Sequence, residues 1–324
     1  MVADDTLVVG YDPGFGNTKV YVAGKAAVLQ TAVARPKEVG LAAIGLKTAG
    51  RHVPIVEFGG QRFAVGPGAW HRGEPLTSLD YQALAAPERQ ALFYAAFNKV
   101  SPAESSTITL VIGLPVPLLQ DHAQAAVILE SLKRLKGEHH FVISGASQHI
   151  TIVRIKVVAQ PVGSYVDWLY GVELQPRTGS QNAEVAVIDI GFNTLDLFVI
   201  AGGQVVERHI GGAEIGVARL LSLLAGSSRD LNELDADLRN GVLRLDDRDL
   251  DLWLGEILAV IKRSWSSLKR FQAVIPSGGG AVVLGDRLKS VLATKGAAIY
   301  WPDDPIITNV RGFWKYGMKH VSAR

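Results

Sequence analysis

Apolar residues along this chain fall into two alternating patterns, short β-branched runs and longer stretches at helical spacing. Runs bounded by glycine, proline or asparagine predict strands at 7–12, 18–23, 53–58, 61–65, 107–113 and 149–158, with helices at about 81–100 and 121–136 between the later ones. Further along, strands are expected near 184–190, 194–200, 204–210 and 273–276, and helices near 214–225, 230–240, 250–270, 282–293 and 305–321. The helical pattern is clearest in 250–270, where Leu250, Leu254, Ile257, Leu258, Ile261, Trp265 and Leu268 recur at spacings of three and four. Pro302 and Pro305 mark the start of the last helix. The polar, turn-rich segment 173–183 is the expected linker.

One short element occurs twice. The first copy runs Asp12-Pro13-Gly14-Phe15-Gly16-Asn17-Thr18-Lys19 and the second Asp189-Ile190-Gly191-Phe192-Asn193-Thr194-Leu195-Asp196, so both read Asp-x-Gly-Phe and then Asn-Thr. Each lies between two apolar runs and is expected to form strand, tight turn, strand. A hairpin tip carrying one carboxylate, backbone N–H groups freed by glycine and small hydroxyl or amide side chains suits phosphate and the magnesium that accompanies it. The copies are about 177 residues apart, a domain-sized rather than a solenoid-sized repeat. Two similar domains facing each other across one nucleotide are therefore expected.

Two further glycine clusters stand at strand-to-helix junctions. Ile275-Pro276-Ser277-Gly278-Gly279-Gly280-Ala281 lets backbone lie against a flat or anionic ligand at a helix N-terminus, or serves a turn that needs positive φ. Ile210-Gly211-Gly212-Ala213-Glu214 is either a second ligand loop or an ordinary turn with Glu214 as a favourable first-turn charge.

Composition narrows the class. The 324 residues suffice for two cores, and 48% are apolar, so a folded globular protein is expected. No apolar run approaches the roughly 20 residues that span a bilayer, and Met1 to Thr6 lacks the basic start and apolar centre of a signal peptide, so a cytoplasmic location without direct membrane binding is expected. The absence of cysteine excludes disulfides, thiolate metal sites and thiol catalysis. A net charge of +2 gives no general drive toward nucleic acid. The basic clusters Lys262-Arg263, Lys269-Arg270 and Lys315, Lys319, His320, Arg324 read first as solvated helix faces and a charged tail.

In their order along the chain, these segments resemble the actin-like ATPase superfamily. Asp12 to Lys19 is similar to its first phosphate loop, Asp189 to Asp196 to its second, and Ser277 to Ala281 to its adenosine loop. Gln160-Pro161-Val162-Gly163-Ser164 resembles the start of the first connecting helix, and Asn309-Val310-Arg311-Gly312 the second. Val111-Ile112-Gly113-Leu114-Pro115-Val116 and the Ser277-to-Ala281 segment followed by Leu284-Gly285-Asp286 are similar to the ParM/StbA branch of bacterial and archaeal plasmid-segregation actins. Phe15 and Phe192 depart from the small or polar residues of eukaryotic actin, and Asn17 and Asn193 partly replace its hydroxyls.

The resemblance implies an α/β actin (ribonuclease H-like) fold. Its first domain comprises 1–160 plus 305–324 and its second 161–304, with ATP, or alternatively GTP, and Mg²⁺ between them. Asp12 and Asp189 are then the metal-facing carboxylates, acting through water. Lys19 reaches the β- or γ-phosphate, or else is an edge-strand lysine. Backbone N–H groups of Gly14, Phe15, Gly16, Asn17 and of Gly191, Phe192, Asn193 hold phosphate oxygens, with Thr18 and Thr194 beside them. Gly211, Gly212, Glu214, Gly278, Gly279, Gly280 and Ala281 complete the nucleotide contacts, and Lys262 with Arg263 either flank the base and ribose or face solvent. Gln160 is assigned to orient the attacking water, with Asp189 as base or metal-water ligand. The implied function is an ATPase that polymerises head to tail and acts in plasmid segregation through a DNA-binding adaptor. A non-polymerising ATP-dependent scaffold and a small-molecule kinase are the alternatives.

Overall fold

The computed structural model describes residues 6–37, 52–76, 79–101, 103–224 and 230–320. Arg324 of the basic tail and the ends of helices 214–225 and 305–321 lie outside the described residues.

The first sheet grows from the first hairpin, β1 (Leu7–Pro13) and β2 (Asn17–Val22), which pair antiparallel with Asp12 opposite Lys19. β3 (Lys25–Gln30), β4 (Val33–Pro36), β5 (Ile55–Phe58), β6 (Gln61–Val65) and β7 (Gly73–Pro75) follow. After α1 (Pro87–Val100) comes β8 (Ser105–Leu114), then α2 (Val116–Gln120) and α3 (His122–Lys133), then the long hairpin of β9 (Gly137–Ile143) and β10 (Ala146–Ala159). Among the described residues the order is β3-β2-β1-β8-β10-β9-β5-β6-β4-β7. β8 is parallel to both β1 and β10, and the apolar stretch Ile108 to Leu114 is accordingly buried almost throughout, as expected for a strand covered on both faces.

The second sheet repeats the device. β11 (Glu184–Ile190) and β12 (Leu195–Ala201) form the second hairpin, with Asp189 opposite Asp196, and β15 (Ala273–Ser277) adds parallel to β11. β13 (Gln204–Val205) and β14 (Gly211–Ala213) both pair with β12. α5 (Val217–Leu223), α6 (Leu231–Arg239), α7 (Asp247–Ser264) and α8 (Gly279–Thr294) belong to this half. The second core is built around Trp253, Ile257, Leu284 and Leu288 against Ile188 and Leu197.

Two helices join the halves. α4 (Gln160–Leu169) continues directly from β10 and packs on β11 and β12, while α9 (Thr308–His320) returns the C-terminal part of the chain to β1 and β8. They cross so closely that a Cβ on Gly312 would fall inside the Gly163 carbonyl.

Several sequence expectations shift at the edges of elements. The helix expected at 81–100 is a 3-10 turn (Tyr81–Ala85) followed by α1, because Pro87 sets a new first turn. The strand expected at 204–210 is cut short after Val205 by a 3-10 turn (Glu207–His209), and pairing resumes at Gly211. α7 ends at Ser264 rather than 270, since Trp265 turns into the core and its indole N–H donates to the His209 carbonyl at 2.9 Å. The last helix begins at Thr308, after a turn in which Asp304 accepts from the Ile306 backbone N–H at 2.9 Å. β3, β4, β7 and β9 lie outside the spans expected from sequence. No helix among the described residues is long and apolar enough to cross a membrane.

Candidate functional site

Both hairpin tips open into one cleft of about 570 Å³ between the two sheets. Asp12, at the end of β1, is 1% exposed, and its carboxylate is fully engaged. Lys19, its cross-strand neighbour, donates to Oδ2 at 2.7 Å, and Gln160 Nε2, at the start of α4, donates to Oδ1 at 2.8 Å. Asp189, at the matching position of the second hairpin, accepts from Ser277 Oγ at 3.0 Å and from Asn309 Nδ2 at 2.7 Å. Asn309 thus carries α9 into the site, and its own Oδ1 accepts from Ser164 Oγ of α4 at 2.5 Å.

The electrostatics tie the carboxylates together. Burial raises the Asp189 carboxyl above its ordinary value, against the opposing pull of the Lys19 ammonium and the Asn309 hydrogen bond, and the negative charge of Asp12 raises it further. Asp196 is pushed up more strongly, by burial first and by the Asp189 charge second. Thr194 Oγ1 donates to its Oδ2 at 3.2 Å, while Oδ1 is buried without a hydrogen-bond partner. Asp12 and Asp189, two buried carboxylates with the Lys19 ammonium beside them, form a pit that favours a cation.

The loops are held from behind. Gly14 O accepts from Arg89 Nη1 and from Thr31 Oγ1, each at 2.8 Å, and the Arg89 guanidinium lies 5.2 Å from the centre of the Phe15 ring. Burial lowers Arg89 to about 10. In the second loop the carbonyls of Gly191, Phe192 and Asn193 accept from the backbone N–H groups of Val217, Ala218 and Gly216 at the start of α5. Gly278 has φ 83°, and a Cβ there would collide with the Ile190 carbonyl and stand 2.8 Å from Asp189 Oδ1. Glycine at this position is thus a requirement of the carboxylate beside it.

Of the residues selected from sequence, the cleft is lined by Asp12, Gly14, Phe15, Gly16, Asn17, Lys19, Gln160, Asp189, Gly191, Phe192, Asn193, Thr194, Gly278 and Gly279. The others lie elsewhere. Thr18 is buried beneath the loop, 3.1 Å from Thr31 Oγ1. Gly211 and Gly212 are spent on the pairing of β14 with β12, and Glu214 follows them on the surface. Gly280 and Ala281 pack inside α8, where a Cβ on Gly280 would strike Ile190. Lys262 is exposed on α7 and is not among the lining residues, so the solvent-face reading holds for it. The far end of the cleft is walled instead by Asp235, Leu238 and Arg239 of α6, Leu245, Val282 and Val283 of α8, and Ile306. Sequence reasoning passed over these residues. Their pattern is ordinary helix amphipathicity, and only the Asn309 segment carried a signal, as the start of a connecting helix.

Two matched hairpins from two sheets, closing on one cleft and bridged by crossed helices, define an actin-like architecture. Residues 10–163 match the family described as actin like proteins N terminal domain. Solved structures agree over nearly the whole chain. A pCBH ParM non-polymerisable quadruple mutant gives a TM-score of 0.74 at 16% identity, covering 97% of this chain and 99% of its own. The archaeal actin homolog Ta0583 in complex with ADP gives 0.72 at 20% identity, with 97% and 99% covered. A 15-stranded ParM filament from Clostridium botulinum gives 0.69 at 17% identity, again with 97% and 99% covered. A comparison with curated protein sequences gives no match. The chain therefore has the actin-like fold, and its fold relatives are the ParM proteins and archaeal actin homologs that its motifs resemble.

Proposed function

We propose that this chain is an actin-like ATPase that binds and hydrolyses Mg–ATP in the cleft and polymerises head to tail, with residues 1–160 plus 305–324 and 161–304 as its two domains. The supporting observation is the meeting of Asp12 and Asp189, each at the tip of a matched glycine hairpin, in one cleft between two sheets. The donor set fits magnesium: the carboxylates of Asp12 and Asp189 both line the cleft, with no thiolate among the lining residues. When bound, the ion would offset phosphate charge and the repulsion among these carboxylates.

The chain's own residues do the positioning. Lys19, held by Asp12, supplies a cation beside the phosphates, and the glycine tips let backbone N–H groups approach them. Gln160 has its Nε2 committed to Asp12, which leaves its carbonyl Oε1 to accept a hydrogen bond from the attacking water and so orient it. Asp189 assists as base or through a metal-bound water. Leu238, Leu245, Val282, Val283 and Ile306 give the base an apolar berth, and Asp235 offers an acceptor for a ribose hydroxyl.

Polymerisation is supported by the fold relative that is itself a ParM filament. A heterologous contact that does not close extends into a helix, and a hydrolysis-linked change in cleft angle alters that contact. Such a filament would position plasmid DNA through a DNA-binding adaptor in the cytoplasm. The test is phosphate release together with high-speed sedimentation, using ATP, GTP and a non-hydrolysable analogue. Magnesium-dependent turnover without acceptor and nucleotide-dependent pelleting are expected. Turnover without pelleting would make the chain a scaffold ATPase, and the absence of magnesium-dependent nucleotide binding would end the proposal.

A further inference from the structure

Remote from the cleft lining, the β9–β10 hairpin brings three metal-ligating side chains together on one face of the first sheet. His140 stands directly opposite His149 in the antiparallel ladder, and their rings stack with centroids 4.4 Å apart and planes 11° from parallel. Glu138, two residues from His140 and so on the same face, has Oε2 3.9 Å from His140 Nε2. His139 between them points to the opposite face, where its Nδ1 lies 2.8 Å from the Tyr94 hydroxyl and its Nε2 2.7 Å from the Leu135 carbonyl. One ligand atom from each of Glu138, His140 and His149 lies within 4.8 Å of the other two.

Ser105 Oγ sits 3.3 Å from His149 Nδ1, and in the tautomer whose Nδ1–H donates to that hydroxyl the Nε2 carries the lone pair. That Nε2 is buried and has no hydrogen-bond partner. The stacked pair of rings leaves it unsatisfied, whereas a cation at the mouth of the cluster would satisfy it. Zn–N and Zn–O bonds of about 2.0–2.2 Å place tetrahedral ligand atoms roughly 3.4 Å apart, so small rotamer changes on a rigid ladder suffice to close the set. Imidazole ligands select zinc-like ions over magnesium.

We propose that Glu138, His140 and His149 bind one first-row divalent ion of the zinc type, with Ser105 orienting His149 and water as the fourth ligand, so that the ion cross-links β9 to β10. The site is independent of the nucleotide cleft. The test is titration of tag-free, full-length protein with Zn²⁺ in excess Mg²⁺, followed by calorimetry, with Co²⁺ absorption as a report on imidazole ligation. One equivalent should bind, and His140→Ala and His149→Ala should each weaken it at least about tenfold. His140 and Glu138 are exposed, so His140→Ala and Glu138→Gln leave the core intact and keep the test decisive if the half-buried His149 variant folds poorly. Absence of a Zn²⁺ isotherm, or an isotherm unchanged by His140→Ala and Glu138→Gln, overturns the proposal.

Discussion

Gln160 Nε2 donates to Asp12 Oδ1 at 2.8 Å, joining residues 148 positions apart and tying the first connecting helix to the first hairpin. If Gln160 orients water, Gln160→Ala should lower single-turnover hydrolysis at least about tenfold while changing ATP affinity less than about threefold. Asp12→Ala should do the converse and weaken Mg–ATP binding, because it also frees Lys19 from its partner. Quench-flow kinetics alongside fluorescent-nucleotide titration separates the two. Unchanged turnover in Gln160→Ala would remove its assignment.

The carboxylates behind the hairpins predict a pH dependence. Asp196 has its folded-state pKa raised well above 3.8, mainly by burial, so the native state holds a proton where the unfolded chain has released it. Native protein then binds more protons in the window between 3.8 and the raised value, and stability falls as pH rises through it. Nucleotide-free protein should therefore gain stability relative to Asp196→Asn as pH is lowered through the raised value toward 3.8, by at most about 1.4 kcal/mol per pH unit. Urea midpoints of both proteins across this range check it. A gap that is flat with pH would contradict the raised value.

The hairpins, the glycine turn at Gly278 and the central strands were legible because each is local: a carboxylate, a glycine and a β-branched run within ten residues. The wall formed by Asp235 and Arg239 was not. Gln30 Nε2 lies 3.3 Å from Asp235 Oδ2 although 205 residues separate them, and nothing in either segment's periodicity announces the meeting. Lys262 failed for the opposite reason. A basic residue on a strongly amphipathic helix satisfies sequence criteria for a ligand contact, but the register of α7 turns it to solvent. The end of that helix was misplaced because Trp265 and Leu268 continue the apolar spacing after the backbone has left the helix.

Arg89 is expected to be a positioning residue for the first loop. It donates to the Gly14 carbonyl at 2.8 Å and more weakly to that of Pro13 at 3.4 Å, while its guanidinium lies over Phe15. Arg89→Met keeps much of the stem and loses these donors, leaving buried carbonyls short of partners. A loss of about 2–4 kcal/mol in urea unfolding is expected, with weaker nucleotide binding. Wild-type affinity in a folded Arg89→Met protein would show that the loop holds its shape unaided.

Arg239 spans the cleft. It donates to Asn17 Oδ1 at 2.7 Å and to both oxygens of Asp235 at 2.7 and 2.9 Å, so α6 is fastened to the first hairpin. Arg239→Ala should release α6 and speed amide exchange there at least about tenfold, an opening cost of roughly 1.4 kcal/mol. Exchange mass spectrometry with and without nucleotide reads this directly. Protection in α6 equal to that of the unmodified protein would place the fastening elsewhere.

The crossing of α4 and α9 is made backbone to backbone. A Cβ on Gly312 would overlap the Gly163 carbonyl, and one on Gly163 would overlap the Asn309 carbonyl and stand 2.6 Å from the Phe313 ring. Neither neighbour is the end of a flexible side chain, so Gly312→Ala must push α9 away from α4, and with it the Asn309 amide that holds Asp189. A loss of about 3 kcal/mol or more is expected, together with weakened nucleotide binding. Gly255→Ala is the matched control. It lies exposed in the middle of α7 with nothing within 4 Å of the new methyl group, so it should stabilise by roughly 0.5–1 kcal/mol through helix propensity alone. Thermal unfolding of the two variants should move in opposite directions; a Gly312→Ala protein as stable as the parent would show that the helices can separate without disturbing the cleft.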